Sequence, residues 1–445
     1  MLAPAASASY AAFGGARSFV VEPVKTSKIQ QSNLPWAALI REAMNHSEPA
    51  LFWRVPESGL TLLGIGQAAE FTGSGIDAMT EAQRWVESYA PQVERDDDLP
   101  LCWFSSTFDH QPGRRKWSDW PGLRLVVPRI LVAERDGQTD GVVFGQSQEE
   151  LELAKALFEQ YLVESTPGSS VSAFSSVQRF WAESPDDFTE RVAQATRLLG
   201  DDLHKVVLAN CCHHRGQSSP LEAVIDNLIN SDRHGIHFAC TQGGESVFAG
   251  CTPETLVQQN GAQWSAHVLA GTRPRNQVGA KDELLSSAKD LREHELVATG
   301  MVEALDPLVD TLDLPAEPKI RSLDHLYHLE RRLEGRVHSS TGFLDLVGAL
   351  HPTPALGGYP QLTAVDYLRD CEPLERGGFG APFGWISGAQ DGHAAVAIRS
   401  ALLKGNAASI FAGAGIVAQS DPQTEQAEVA AKVASIESEL LGLSS

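Results

Sequence analysis

Two helical stretches carry acidic residues at spacings that suit a hard cation. In the last of them Glu425, Glu428 and Lys432 share one stripe at about 100° per residue. Beside it runs an apolar stripe of Val429, Val433, Ile436 and Leu440. Asp421 is a natural N-cap and Pro422 suits the first helical position, so a helix is predicted over Pro422–Leu441. Carboxylates at the edge of a half-buried face can hold a divalent cation through oxygen. A solvated acidic face with an i,i+4 Glu428–Lys432 pair explains the same spacing. The second pair, Asp290 and Glu293, lies three apart in Lys289-Asp-Leu-Arg-Glu-His294, within a long helix predicted over Lys281–Leu305. Two helices offering a pair each can clamp one magnesium ion, with some carboxylates acting through water.

Three further residues can do chemistry. Lys205 opens an apolar strand, Lys205-Val-Val-Leu-Ala, flanked by Asp201-Asp202. A lysine there is costly unless paired or functional, and a desolvated lysine can serve as a general base. The alternative is a strand-end lysine whose stem reaches to solvent. Glu254, in Cys251-Thr-Pro-Glu-Thr, follows a strand and turn and is a candidate general acid or a plain turn residue. Arg399, in Val396-Ala-Ile-Arg-Ser, is placed by its neighbours in an apolar strand. Its fork suits a carboxylate, and a structural ion pair is the alternative. Ala412-Gly-Ala-Gly-Ile-Val417 reads as a glycine-rich strand exit, where backbone can approach a ligand closely. Cys211-Cys212-His213-His214 has the residue types of a metal cluster. Adjacent strand residues point to opposite faces, so the four cannot converge on one ion, and the run is read as a strand end followed by a turn.

These residues need elements to hold them. Strands are predicted at Ala50–Val55, Leu60–Ile65, Leu123–Ala133, Ile236–Cys240, Ser246–Gly250, Ala394–Leu403 and Ser409–Phe411. Helices are predicted at Gln148–Glu164, from the spacing of Leu151, Leu153, Leu157 and Leu162, and at Phe188–Gly200. Strands and helices mix throughout, which favours an α/β or α+β architecture around large sheets. No internal repeat is visible. Linker-like stretches at Glu94–Pro100 and Ser165–Ser176 are short, and the second separates two halves of one fold.

The chain has 445 residues with 35 basic and 57 acidic side chains, for a formal net charge of -22. That excludes nucleic acid and anionic lipid as partners, because both need a basic footprint. A small anionic substrate would need local cations. No run of apolar residues is long enough to span a bilayer. The Ala/Ser-rich start, MLAPAASASYAAFGGAR, lacks a basic region followed by a continuous apolar one and is read as a loose terminal arm. Six dispersed cysteines and no export signal point to a reducing cytoplasm.

Taken in order, the segments from Lys205 to Ile436 resemble the chorismate-utilising enzymes, which include anthranilate synthase large subunits and the aminodeoxychorismate, isochorismate and salicylate synthases. The shared pieces are Lys205-Val-Val-Leu-Ala, Thr252-Pro-Glu254, Leu269-Ala-Gly-Thr-Arg-Pro-Arg275, Lys289-Asp-Leu-Arg-Glu-His294, His325-Leu-Tyr, His351-Pro-Thr-Pro-Ala-Leu-Gly-Gly358, Gly384-Trp385, Val396-Ala-Ile-Arg-Ser, and Ala412–Val417 leading to Ser420-Asp-Pro, Glu425, Glu428 and Lys432. No piece is specific alone; the ordered set is. Residues 1–165 match loosely, through Phe52-Trp53 and Leu63-Gly-Ile-Gly66.

The resemblance implies an α+β fold, one large domain of antiparallel sheets enclosed by helices. Residues 1–165 would form a less typical N-terminal half and 166–445 the chorismate-binding catalytic region. It implies magnesium bound directly by Glu293 and Glu428, with Asp290 and Glu425 acting through water. Substrate would lie among Gly271, Thr272, His325, Ala355, Leu356, Phe379, Ile398, Arg399, Gly413, Gly415 and Lys432, with Lys205 and Glu254 catalytic. Ammonia-using members carry Gln at the position of Lys205, and aminodeoxychorismate synthases carry Lys at that of Ala270. Salicylate synthases typically carry Thr at Ala355 and Tyr at Phe379. At both of these last positions this chain looks like isochorismate synthases, which convert chorismate reversibly to isochorismate, and a lysine at 205 fits activation of water rather than ammonia. It departs from the family at Asn210, where Arg is common, and at Gln426, where Trp is frequent. The alternatives are a salicylate synthase, which also eliminates pyruvate, and a non-catalytic chorismate-binding homologue. A monomer or homodimer without a glutaminase subunit is expected. Menaquinone, catechol siderophore and salicylate synthesis all remain open as consumers of the product.

Overall fold

The computed structural model describes residues 25–29, 34–45, 48–93, 99–135, 137–164, 174–275, 277–322, 326–388 and 391–443. The terminal arm, most of both linker-like stretches and His325 lie outside them. Among the described residues the strands form two sheets, one of twelve strands and one of ten, in which every pairing is antiparallel. Through the larger run Pro49–Val55, Ile236–Gln242, Ser246–Thr252, Ser400–Lys404, Ala407–Ile416 and Lys205–Gly216, each hydrogen-bonded to the next. Through the smaller run Leu326–Val337, Gln263–Pro274, Thr255–Asn260, Gly392–Val396, Pro382–Ile386 and Cys102–Ser106. Strands from before and after residue 165 therefore neighbour one another in both sheets.

Three expected elements prove to be two each, and two of the breaks carry the chain from one sheet to the other. The run Leu123–Ala133 splits into Leu123–Val127, in the smaller sheet, and Ile130–Arg135, in the larger. Pro128 stands at the break, where its missing N–H ends the ladder. The run Ala394–Leu403 splits into Gly392–Val396 and Ser400–Lys404, again one in each sheet. Arg399 is thus not a strand residue; it turns the crossover, with φ at 49°. The long helix splits into Ala280–Ser286 and Ala288–Leu305. Ser287 leaves the helical region and its hydroxyl accepts the Asp290 N–H, starting the second helix afresh.

Two strands are longer than expected. Lys205–Gly216 continues through Cys211-Cys212-His213-His214, so that run is strand, not a strand end and turn. Ala407–Ile416 contains Gly413 and Gly415, paired across to Ala209 and Val207, so these glycines lie in the ladder rather than at its exit. The helix at Phe188 begins earlier, spanning Pro185–Leu198 behind a Ser184 cap. Gln148–Glu164 and Pro422–Leu441 match expectation. In the first, Leu151, Ala154, Phe158 and Tyr161 face the core, whereas Leu153 is exposed. In the second, Val429, Val433, Ile436 and Leu440 are all buried.

A second, aromatic core joins Trp53, Trp117, Phe238, Phe248, Phe379, Phe383 and Phe411. Aromatics of this size bury large areas and fix their neighbours by ring geometry; Phe379 and Phe411 stack with centroids 5.5 Å apart. Among the described residues no helix is long and apolar enough to cross a membrane. Among the described residues no disulfide joins two cysteines.

The Ser287 cap makes a local prediction. Ser287→Ala removes the acceptor for the Asp290 N–H and lowers the free energy of unfolding by about 1 kcal/mol. Urea titration should show a lower midpoint at unchanged slope; an unchanged midpoint would refute the capping role.

Candidate active site

A cavity of about 1120 Å³, counted out to its open mouth, lies where the two sheets meet the helices Ala288–Leu305 and Pro422–Leu441. Its floor is apolar, with Val207, Leu269, Phe379 and Phe411. Its walls are charged: Lys205, Glu254, Lys289, Asp290, Glu293, Arg399, Glu428 and Lys432.

Lys205 is 1% exposed, and its ammonium lies 2.9 Å from Glu293 Oε1. The strand Ala407–Ile416 makes room for this pair. A Cβ on Gly415 would stand 2.2 Å from that carboxylate oxygen and 2.9 Å from Lys205 Cε. A side chain there would push the pair apart, so glycine serves close approach and not a special φ. The strand bearing Lys205 is held from below by a buried pair. Arg376 donates to Glu372 at 2.6 Å, to the Val207 carbonyl at 2.7 Å and to the Leu356 carbonyl at 2.8 Å. Glu372 in turn accepts the Ala209 N–H at 2.9 Å.

Glu254 lies at the crossover between Ser246–Thr252 in the larger sheet and Thr255–Asn260 in the smaller. The Thr252 hydroxyl fixes this turn by donating to the Val396 carbonyl at 2.7 Å and accepting the Glu254 N–H at 3.2 Å. The Arg399 crossover lies alongside, tied by the Cys251 N–H to the Arg399 carbonyl at 3.2 Å. The Glu254 carboxyl is 5% exposed. Desolvation raises its pKa to about 7, outweighing the opposing pull of Lys205, Arg321 and Lys432. A carboxyl so placed keeps its proton close to neutrality.

Gly271, at φ 81°, forms a bulge in Gln263–Pro274 that shifts the register between Ala270 and Thr272. Thr272 then pairs across to His328, their side chains meeting at 2.9 Å. His328 Nε2 lies 3.4 Å from Arg399. Burial, aided by Arg399 and other cations, holds this imidazole well below its usual pKa and hence neutral.

The four acidic residues each face a cation. Arg273 forks onto Asp290 at 2.5 and 3.2 Å, and Lys289 meets Glu425 at 2.5 Å. Lys205 meets Glu293, and Lys432 meets Glu428 at 2.7 Å while also donating to the Gly413 carbonyl at 2.8 Å. Burial raises the pKa of Glu425, and the charge of Glu428 adds to the rise. Burial acts the same way on Glu428, but Lys432, then Lys289 and Arg273, bring it below the usual value. Burial opposes the charge of Lys289, yet the hydrogen bond and charge of Glu425, with Glu293 and Glu428, raise its pKa. One ammonium thus stands as cation to three of the four carboxylates. The donor set fits a hard divalent ion, which takes oxygen ligands. Among the described residues no three of these carboxylates bring oxygens within 4.8 Å of one another; each is turned toward its own cation.

Of the residues singled out by sequence, Lys205, Glu254, Gly271, Thr272, Asp290, Glu293, Ala355, Leu356, Phe379, Ile398, Arg399, Gly413, Gly415, Glu428 and Lys432 line this one cavity. Glu425 does not; it is buried behind it, against Lys289. His328, Lys289 and Arg273 were not singled out. His328 was within reach of strand alternation, since it stands opposite Thr272. Lys289 and Arg273 lie inside recognised motifs, but only the fold shows which carboxylate each one meets.

The shifted Glu254 carboxyl gives a stability test. Between its ordinary value of 4.5 and about 7 the folded chain holds a proton that the unfolded chain has lost. The contribution of this residue to stability therefore falls as pH rises through that window. Glu254→Gln does not titrate, so its stability relative to the wild type should climb across the window, by on the order of 3 kcal/mol, and then level off. Urea unfolding at a series of pH values measures the difference; a flat difference would rule out the raised carboxyl.

Comparison with known proteins bears on this geometry. The family model for chorismate binding enzymes matches residues 22–441. The salicylate biosynthesis isochorismate synthase of Pseudomonas aeruginosa is 31% identical over 414 residues, covering 87% of this chain and 84% of that protein. The isochorismate synthase MenF of Bacillus subtilis is 30% identical over 420 residues, covering 88% of each. Among solved structures, MenF, the menaquinone-specific isochorismate synthase from Escherichia coli, superposes with a TM-score of 0.78 over 94% of this chain and 95% of that one. At 23% identity it attests the fold alone. So does anthranilate synthase component I from Streptococcus pneumoniae, at a TM-score of 0.70 and 18% identity, covering 85% of this chain and 92% of that one. The match across nearly the whole chain, on a fold whose sheets close round one charged cavity, places this protein in the chorismate-binding enzyme family.

Proposed function

We propose that the chain is an isochorismate synthase, an isomerase that interconverts chorismate and isochorismate. The observation that carries this reading is the pairing of opposites in one cavity: a buried carboxyl that keeps its proton near neutrality and a buried lysine opposed by a single carboxylate. Full-length relatives named isochorismate synthases support the choice of reaction.

Lys205 removes a proton from water as that water adds to ring C2. The double bonds shift, and the C4 hydroxyl leaves as water with the proton of Glu254. One water enters and one departs, so product and substrate are isomers. Each proton transfer contributes on the order of 10² to 10⁴ in rate. Lys205 can turn to that water only once Glu293 is drawn away from it. Arg399, steadied by neutral His328, presents its fork to a substrate carboxylate. Thr272 and the backbone at Gly413 and Gly415 close around the ring, and Phe379 and Phe411 exclude water beneath it. Glu293 and Glu428, with Asp290 and Glu425, are the residues that would hold magnesium, which would supply an electrophile for the ring carboxylate. The local cations Arg399, Lys432 and Lys289 offset the field of an acidic protein. Cytoplasmic chemistry on a soluble substrate suits a chain whose described residues form no disulfide.

Purified protein with chorismate and magnesium should yield isochorismate alone by chromatography, and chelator should stop the reaction. Lys205→Ala and Glu254→Gln should each lower turnover about 10²-fold or more while chorismate still binds. Salicylate with pyruvate as the products, or near-normal turnover in either variant, would sink the assignment.

Lys289 competes for the carboxylates that would hold magnesium. A unit charge about 4 Å away is worth a few kcal/mol at an effective dielectric near 20, so Lys289→Met should tighten magnesium binding on the order of 10²- to 10³-fold. Calorimetric titration with the metal alone reads this directly; unchanged or weaker binding would mean that Lys289 supports the site instead of competing for it.

A further inference from the structure

The run Cys211-Cys212-His213-His214 takes no part in the cavity chemistry. Strand alternation divides it into two pairs. Cys211 and His213 face one way, where His213 Nδ1 meets Ser409 Oγ at 2.9 Å and Lys116 at 3.1 Å. Cys212 and His214 face the other way, under the helix Pro422–Leu441, and there they meet Glu437. All three are buried. His214 Nε2 is 2.8 Å from Glu437 Oε1, and Cys212 Sγ is 3.7 Å from that oxygen and 3.9 Å from Nε2.

These distances can be set against a metal. Zinc binds sulfur at about 2.3 Å and nitrogen or oxygen at about 2.0–2.2 Å, so tetrahedral ligands sit about 3.3–3.6 Å apart; the three observed separations lie within about 0.5 Å of that range. The histidine is also oriented to ligate through Nε2. Ser176 Oγ donates to the Gln178 carbonyl at 3.1 Å, so at 2.9 Å from His214 Nδ1 it accepts the ring N–H. Nε2 is then the nitrogen directed at Glu437 and Cys212, an arrangement that orients metal-bound histidines generally. Arg179 holds Glu437 Oε1 at 2.7 Å and is the competing cation. Its side chain is 43% exposed and lies over Trp181, so it stands between the trio and solvent.

We propose that Cys212, His214 and Glu437 form a second metal site, for zinc or a similar borderline cation, with water as fourth ligand. Sulfur and imidazole select against magnesium, so the two sites take different ions. Binding displaces Arg179 from Glu437, and the thiol and the ring Nε2 give up their protons to solvent. The ion ties Lys205–Gly216 to Pro422–Leu441, which carry Lys205 on one side and Glu428 and Lys432 on the other. Its role is to pin those two elements together.

The test uses full-length protein stripped with chelator, then titrated with zinc by calorimetry and with cobalt by absorption, both with magnesium in excess. One equivalent of zinc should bind, and cobalt should give a thiolate-to-metal charge-transfer band. Cys212→Ser should abolish the band and weaken zinc about tenfold or more, and Glu428→Gln should change neither. Should Cys212→Ser fail to fold, by circular dichroism, Arg179→Ala decides: removing the competing cation should tighten zinc binding. No charge-transfer band in the wild type, a band that survives Cys212→Ser, or zinc binding lost in Glu428→Gln would each overturn the proposal.

Discussion

A charged lysine at the start of a central strand cannot be left unpaired inside a protein, and the arrangement of the cavity follows from how Lys205 is satisfied. Its partner, Glu293, comes from a helix on the far side of the opening strand. The two meet only because the intervening strand has no side chain at Gly415. Removing one member of such a buried pair leaves an uncompensated charge, which is far costlier than losing a surface ion pair. The pair therefore sets the distance between the strand Lys205–Gly216 and the helix Ala288–Leu305. The Arg376–Glu372 pair fixes the same strand from beneath through main-chain groups. Position and charge are secured together.

The other two chemical groups stand where the chain changes sheets. Glu254 and Arg399 each occupy a short break between strands that belong to different sheets, and the two breaks are hydrogen-bonded side by side. Breaks of this kind release the backbone from the ladder, so a side chain can point into the space between sheets instead of along the pleat. Arg399 adopts a left-handed φ there, a conformation costly for a residue with a Cβ and kept where the surroundings over-determine it. Sheets that exchange strands thus make a rigid cavity with loop-like freedom at two points. Rigid support on both sides of a short turn is what precise placement of an acid and a cation requires.

Much of this was legible in the sequence, for definable reasons. The helix Pro422–Leu441 was readable to its last residue because its cap, its proline and its apolar stripe agree. The long helix before it was misread because Ser287 looks like an ordinary helical serine until its hydroxyl is seen to cap a new start. The strand Ala394–Leu403 was misread because an apolar run carries no sign that it leaves one sheet for another. Gly413 and Gly415 were singled out as close-approach residues but misplaced, since ladder and exit glycines look alike in one dimension. Leu153 shows the opposite failure: an apolar residue at a plausible spacing that faces solvent. The cavity residues themselves were identified by a resemblance covering their order along the chain, and their convergence is a property of the fold.

On the proposed reading, one carboxylate links the two halves of the chemistry. Glu293 is the counter-charge of Lys205 and also one of the residues assigned to magnesium. It cannot serve both fully at once, because each lone-pair direction it turns to a cation is lost to the ammonium. While Glu293 faces Lys205, the two are held together as a buried pair. A ligand that recruits Glu293 would take from Lys205 the carboxylate that satisfies it. Occupancy of the carboxylate cluster and the pairing of Lys205 are then coupled through a single side chain. The acid needs no such coupling, since desolvation alone keeps the proton on Glu254. A lysine freed from its partner only when the cluster is filled, beside an acid that burial keeps protonated near neutrality, ties the chemistry of the site to the binding of its ligands.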